Sequence, residues 1–127
     1  MFVVERSGEI VGTTSYLDVS VNDARLEIGS TMYAPGEWGS PLNPTCKYLL
    51  MGHAFEVLGM GRVQLKTDIR NLRSRSAIER LGARSEGILR RYQRRTDGTV
   101  RDTVMYSVIS EEWSTVRDGL LARIGQS

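Results

Sequence analysis

The chain has 127 residues, which is enough for one domain with a single hydrophobic core. Hydrophobic residues make up 40% and charged residues 25%, and no run approaches the ~20 apolar residues that a membrane-spanning helix requires. The start, "MFVVERSGEIVG", lacks the pattern of a signal peptide, and a single cysteine, Cys46, excludes a disulfide within the chain. We therefore expect a cytoplasmic protein without a membrane partner.

The net charge is only +2, but the basic residues are unevenly distributed. There are fifteen arginines and two lysines, and nine of the arginines lie between Arg70 and Arg95. Such a cluster can bind nucleic acid. Interspersed acidic residues dilute its positive potential, namely Asp68, Glu79, Glu86 and Asp97. We therefore do not expect nucleic acid as the partner, although an arginine-rich RNA-docking protein stays open as an alternative.

The first part of the chain predicts three strands in an antiparallel meander. A short apolar run covers residues 2–5, and "IVGTTSYLDVSV" (10–21) is rich in β-branched and aromatic residues. The third strand, Arg25–Tyr33, alternates in polarity, which places Glu27 on the face opposite to Leu26. The connections are too short for crossovers, so neighbouring strands should be antiparallel. The exposed edge at residues 2–5 favours pairing with another chain, for example in a homodimer.

The rest of the chain alternates between helical and strand patterns. These elements are, in chain order, a helix at 44–58 that stops at Gly59, a strand at 62–68, a helix at 71–82, strands at 83–95 and 100–109, and a helix at 110–124. The order β-β-β-α-β-α-β-β-α predicts an α+β fold with a mixed, mostly antiparallel sheet of about six strands. One parallel pair is expected, between Arg25–Tyr33 and residues 62–68.

The loop "GEWGSPLNP" before the first helix is a candidate anion site. Asn43 is a favoured N-cap and Pro44 suits the first helical position, so the helix should begin there. Main-chain N–H groups of a tight turn, together with those of a helix N-terminus, attract phosphates. The helix itself is apolar all round, which predicts that it is buried. A diphosphate is the favoured ligand, and a plain structural turn is the alternative.

Two long blocks carry a family resemblance. The segment "LEIGSTMYAPGEWGSPLNPTCKYLLMGHAFEVLGMGRVQLKTDIRNLRSRSAIERLGARSEGILRR", followed by "DGTVRDTVMYSVISEEW", resembles the GNAT superfamily of acyl-CoA N-acetyltransferases. Within it, the match is to the ribosomal-protein N-terminal (serine or alanine) acetyltransferase type. The resemblance implies one GNAT domain over residues 1–127, with two separating parallel strands. It also implies that the strand and helices that usually open the fold are missing, so that the domain is N-terminally short.

The resemblance further implies that acetyl-CoA is the cosubstrate and that no metal is needed. In the family's diphosphate loop, Trp38 here replaces a basic or amide residue and Pro41 replaces a glycine, so one N–H is lost. Asn71 matches a residue that binds the pantetheine arm, and a helix cap is its alternative role. The implied cosubstrate-binding residues are Thr31, Met32, Tyr33, Trp38, Gly39, Ser40, Pro41, Leu42, Asn43, Asn71 and Ser74.

The implied reaction is transfer of an acetyl group to a primary amine, with a protein N-terminal amine as the first expectation. Glu27 resembles the family's catalytic base, and a salt bridge is its alternative role. The position of a tyrosine acid found in many relatives is occupied by Ile78, so Ser76 or a water would protonate the departing thiolate. A small-molecule amine as acceptor, and an acyl-CoA-binding module without catalysis, stay open as alternatives.

Overall fold

The computed structural model describes residues 1–6, 8–33 and 42–125. For Arg6, Ser30, Met32 and Tyr33 it describes the main chain alone. The predicted loop residues Trp38, Gly39, Ser40 and Pro41 lie outside the described residues.

Six strands of the described residues form one sheet in the order β1-β2-β3-β4-β6-β5. They are β1 (Phe2–Arg6), β2 (Glu9–Ser20), β3 (Arg25–Tyr33), β4 (Arg62–Asp68), β5 (Arg84–Arg94) and β6 (Val100–Ile109). Among these strands, β3 and β4 are parallel and the other neighbours are antiparallel. The predicted α+β class, the strand order along the chain and the parallel pair are confirmed.

The described part of the chain has three α-helices that connect or follow the strands: α1 (Leu42–Gly52), α2 (Leu72–Arg80) and α3 (Trp113–Gly125). The first begins two residues before the predicted start at Pro44, so the prediction that Asn43 is its N-cap is wrong. Both residues lie in the first turn, where a proline is tolerated because the helical ladder does not need its N–H. None of the helices in the described residues has the length and apolarity of a membrane-spanning helix.

The end of α1 widens into a π-helical turn, His53–Val57, before the chain enters β4. The main-chain N–H of Leu58 bonds the His53 carbonyl at 2.9 Å, and Gly59 follows with a φ of +69°. Glycine adopts this left-handed conformation without a Cβ penalty, so the predicted stop at Gly59 is confirmed. The expectation that the helix is buried on all sides is wrong, because Leu49 is 61% exposed and Val57 is 70% exposed.

The hydrophobic core lies between one face of the sheet and the helices. Alternate residues of three central strands point into it, and α1 and α3 supply the opposing side chains. The core includes Leu26, Ile28, Val63, Leu65, Val104, Tyr106, Val108, Met51, Ala54, Trp113 and Leu120. Trp113 also donates a hydrogen bond from Nε1 to Glu56 Oε2 at 2.8 Å, which ties α3 to the end of α1. This contact and the shared core hold α1 over the centre of the sheet.

Candidate functional site

β3 and β4 run side by side for only a short distance. Their register pairs Arg25 with Arg62, Leu26 with Val63, and Glu27 with Gln64. Beyond Glu27, β3 stays paired with β2, and β4 stays paired with β6 as far as Asp68. We call the opening between residues 28–33 of β3 and residues 65–68 of β4 the fork. It leaves one side of the β3 main chain without a strand partner among the described residues, as the resemblance implied.

Each of the two separating strands is followed in the chain by a helix. α1 follows β3, and α2 follows β4 with Asn71 as its N-cap. Asn71 Oδ1 accepts a hydrogen bond from the Ser74 N–H at 3.0 Å, so the capping role of Asn71 is confirmed. The cap uses the oxygen alone, which leaves the Asn71 amide nitrogen able to donate to a ligand. The positive ends of two helix dipoles therefore flank the fork.

Glu27 lies at the closed end of the fork and is only 5% exposed. Its Oε1 accepts a hydrogen bond from Gln64 Nε2 at 3.1 Å and lies 3.0 Å from Lys66 Nζ. The salt bridge to a neighbouring strand, the alternative role for Glu27, is thus present. Both contacts use Oε1. The other oxygen, Oε2, lies beside Gly29, 3.3 Å from where a Cβ would stand, and so faces the direction in which the fork opens.

Lys66 joins four strands around Glu27. Its Nζ lies 3.1 Å from the Tyr92 hydroxyl, 4.8 Å from the centre of the Tyr92 ring and 3.9 Å from Asp18 Oδ2. Burial by itself lowers the pKa of Lys66, but the hydrogen bonds to Tyr92 and Glu27 outweigh it and raise that pKa above its ordinary value. The ammonium therefore stays charged and holds the Glu27 carboxylate in one orientation.

The sequence did not single out Gln64, Lys66 or Tyr92. Alternation along β4 does place Gln64 and Lys66 on one face, which was the available signal. Which residue of β3 they would meet depends on the strand register, and that register is a property of the folded sheet. Tyr92 reaches Lys66 from β5, which is separated from β4 by β6.

Two arginines near the site, one of them from the arginine cluster, are paired with carboxylates. Arg95 binds both oxygens of Asp68 at the end of β4, at 2.6 and 2.9 Å. This pairing holds the pKa of Asp68 well below its usual range. Arg62 binds both oxygens of Glu86 in the same way, at 2.8 and 2.6 Å. These four residues brace β4 against β5 and the chain that follows it.

The remaining predicted residues fall in three places. The Thr31 hydroxyl lies 2.8 Å from the Thr14 hydroxyl on β2. Because this side chain is bonded to β2, the part of Thr31 that is left for a ligand in the fork is its main chain. Ser76 is exposed on α2 and lines a shallow hollow with Glu79 and Arg80, without a hydrogen bond to a described residue of the fork. Ile78, also on α2, is buried in the core.

No cluster of metal-ligating side chains occurs within the described part of the chain.

Comparison with known proteins identifies the family. A sequence model of the acetyltransferase (GNAT) domain matches residues 1–84. The chain belongs to the GNAT family of acetyltransferases. A solved acetyltransferase structure from T. thermophilus is 50% identical and superposes with a TM-score of 0.86, covering 91% of this chain and 61% of that chain.

Two further structures extend the comparison. A GCN5-related N-acetyltransferase from Brucella melitensis is 31% identical with a TM-score of 0.88, over 93% of this chain and 53% of that chain. RimJ from Mycobacterium smegmatis, solved in complex with CoA-disulfide, is 25% identical with a TM-score of 0.83. The match covers 94% of this chain and 57% of that chain. The N-acetyltransferase p20 of Bacillus licheniformis is 25% identical, and the match covers 88% of this chain but only 62% of that protein.

Proposed function

We propose that this chain binds acetyl-CoA in the fork and transfers its acetyl group to a primary amine, with the N-terminal amine of a protein as the acceptor. The observation that carries the proposal is the β3 main chain beyond Glu27. It borders an opening that β4 leaves, and the opening is flanked by two helix N-termini. An extended pantetheine arm can pair with such a strand, and a diphosphate suits a helix N-terminus. The CoA-disulfide bound to the related RimJ supports a CoA ligand.

The two walls of the fork would divide the binding of the cosubstrate. On one wall, the main chains of Thr31, Met32 and Tyr33 pair with the pantetheine, and the N–H groups of Leu42 and Asn43 lie at the positive end of the α1 dipole. On the other wall, the Asn71 amide donates to the pantetheine and Ser74 lies one turn along α2. The preceding loop residues, Trp38, Gly39, Ser40 and Pro41, stay sequence-based predictions.

Glu27 would act as the general base through Oε2, while Lys66 and Gln64 hold Oε1. A protein N-terminal amine has a pKa of about 7.7–8.0, so a carboxylate or an intervening water can remove its proton. The neutral nitrogen then attacks the thioester carbonyl carbon as the C–S bond breaks. The main-chain N–H of Met32 or Tyr33 stabilises the carbonyl oxygen as it gains charge. Ser76 or a water returns a proton to the CoA thiolate.

The direct test measures thiol release from acetyl-CoA with a peptide that has a free N-terminus, beside calorimetry with CoA. The same peptide with an acetylated N-terminus is the matched control, and a polyamine tests the small-molecule alternative. We expect release with the free peptide alone. CoA binding without release with any of these amines would favour a non-catalytic binding module, and failure to bind CoA would reject the proposal.

Two variants test the residues. Glu27→Gln should lower kcat about 100-fold, in the range of general base catalysis, while leaving the Kd for CoA unchanged. Asn71→Asp keeps the capping oxygen but removes the amide donor, so it should weaken CoA binding about fivefold, the loss of one hydrogen bond, without lowering the melting temperature. Unchanged CoA affinity in Asn71→Asp would remove Asn71 from the site.

A further inference from the structure

Lys47 is a buried cation without a described partner. It is 5% exposed on α1, and it forms no hydrogen bond or ion pair with any residue that the structure describes. Burying an unpaired ammonium lowers the free energy of unfolding. In the sequence, Lys47 is also the only lysine or arginine between Arg25 and Arg62. A buried cation without an ion pair among the described residues destabilises the fold, and such a cation can be retained because it pairs with a ligand.

Lys47 lies on the side of α1 that faces the sheet. Pro44, Lys47, Met51 and Ala54 are the buried residues of one stripe of α1 and its π-helical turn, with Met51 and Ala54 in the core. The stripe therefore faces the sheet, and Lys47 belongs to it.

The level of Lys47 along the sheet follows from one hydrogen bond. The hydroxyl of Tyr16 donates to the Leu50 carbonyl at 2.5 Å, and Tyr16 pairs with Ile28 across β2 and β3. Lys47 lies three residues nearer the start of α1, about 4.5 Å further along the helix axis. Because α1 runs back against β3, this level lies beyond Ile28, where β4 has already separated. Helical side chains lean toward the N-terminus, which directs the ammonium to the first turn of α1.

We propose that Lys47 is an anion-binding residue of the fork, and that its ammonium pairs with a phosphate of the acyl-CoA diphosphate. This inference rests on the proposed function. A diphosphate carries two negative charges, whereas a helix N-terminus supplies only about half a positive charge. The preceding segment, "APGEWGSP" (34–41), contains no basic residue and one acidic residue, Glu37. Lys47 supplies the missing cation from the helix side of the fork.

The protonation chemistry agrees with this role. Burial lowers the pKa of Lys47 to about 8, and the neighbouring Cys46 thiol offsets this only in part. The free protein therefore holds an amine that is close to losing its proton. A phosphate placed beside it would favour the charged form and would stabilise the pair in a region from which water is excluded.

Calorimetry with two ligands tests the inference. CoA carries the diphosphate, and pantetheine, measured by displacement of CoA, does not. In Lys47→Met, the Kd for CoA should rise at least tenfold, as expected for loss of a charge-assisted hydrogen bond, and the Kd for pantetheine should stay the same. Lys47→Arg should retain part of the CoA affinity. Cys46→Ala, a buried and uncharged change at the next position of α1, is the control and should bind CoA like the wild type.

Each outcome has one meaning. If the wild type and Lys47→Met bind CoA with equal affinity, the inference is overturned but the proposed function stands. Equal losses of CoA and pantetheine affinity would mean that Lys47 serves the packing of α1 and not a phosphate. Wild-type protein that fails to bind CoA overturns the proposed function and this inference together. Melting temperatures show whether Lys47→Met is folded, and we expect it to melt no lower than the wild type.

Discussion

The two lysines of the chain lie in opposite surroundings. Lys66, on β4, contacts Glu27, Tyr92 and Asp18 on the polar face of the sheet, and its pKa is raised. Lys47, on the face covered by helices, has no described ion pair, and burial lowers its pKa. The difference arises from what faces each ammonium: a network of polar side chains in one case, and the core stripe of a helix in the other.

The comparison separates a cation that stabilises the fold, Lys66, from a cation for which we propose a ligand, Lys47. A buried charge with fixed partners braces the structure, and its loss exposes the partner that stays behind. A buried charge without partners lowers stability and is typical of residues retained for function. The same substitution, lysine to methionine, should therefore act in opposite directions at the two positions.

The largest effect is expected for Lys66→Met. Removing this ammonium leaves Glu27 as a buried carboxylate without a cation, which should lower the free energy of unfolding by about 3 kcal/mol at pH 7. Urea unfolding followed by circular dichroism measures the change. Lys66→Arg, which keeps the charge, is the control and should lose less. Equal stability of Lys66→Met and wild type would show that the network adds nothing to the fold.

Lys47→Met should instead raise the free energy of unfolding, by about 2 kcal/mol at pH 7 in the absence of ligand. Burial lowers the Lys47 pKa from 10.5 to about 8, so between these pH values the unfolded chain binds more protons than the folded one. The penalty from Lys47 therefore fades as pH rises through this range. Unfolding curves at pH 7 and pH 10.5 should show the advantage of the variant shrinking, and a constant advantage would contradict the assignment.

A smaller effect is expected at the end of β4. Asp68→Asn removes the carboxylate that pairs with Arg95. It should lower the free energy of unfolding by about 1–2 kcal/mol at pH 7. The pKa of Asp68 is lowered in the folded state, so its contribution is present above the ordinary carboxyl pKa and is lost as pH falls below it. Wild type and variant should thus converge in acid. Asp118→Asn, at an exposed residue of α3, is the control and should change little.

The smallest change concerns the backbone beside Glu27. A Cβ at Gly29 would stand 2.7 Å from Leu17 Cδ1 and 3.3 Å from Glu27 Oε2. Gly29→Ala should therefore cost about 1 kcal/mol and shift Glu27, the proposed base, which would lower kcat more than the affinity for CoA. Gly119→Ala, on α3 with nothing within 4 Å, is the matched control and should be neutral or stabilising. A Gly29→Ala enzyme with unchanged kcat would show that Oε2 is not needed where it lies.

The candidate site was predictable in its local parts. Glu27 was placed on the polar face of β3 by alternation, and Asn71 was recognised at the start of α2, because both depend on neighbours in sequence. The start of α1 was wrong by two residues, since Asn43 and Pro44 fit more than one position of a first helical turn. Lys47 was not predicted as a site residue, because the sequence of an apolar helix does not show whether a single lysine is exposed to solvent or buried.

Sequence alone determined the α+β class and the order of its elements, because strand alternation, helical periodicity and turn residues are local properties. The family followed from the resemblance of two long sequence blocks to GNAT acetyltransferases. Tertiary structure decided the register that sets Glu27 against Gln64 and Lys66, the distance over which β3 and β4 stay together, and which lysine is paired. These features depend on contacts between residues far apart in the chain. The interactions that fix these features are strong only when they are buried, and burial exists only once the sheet and helices have packed.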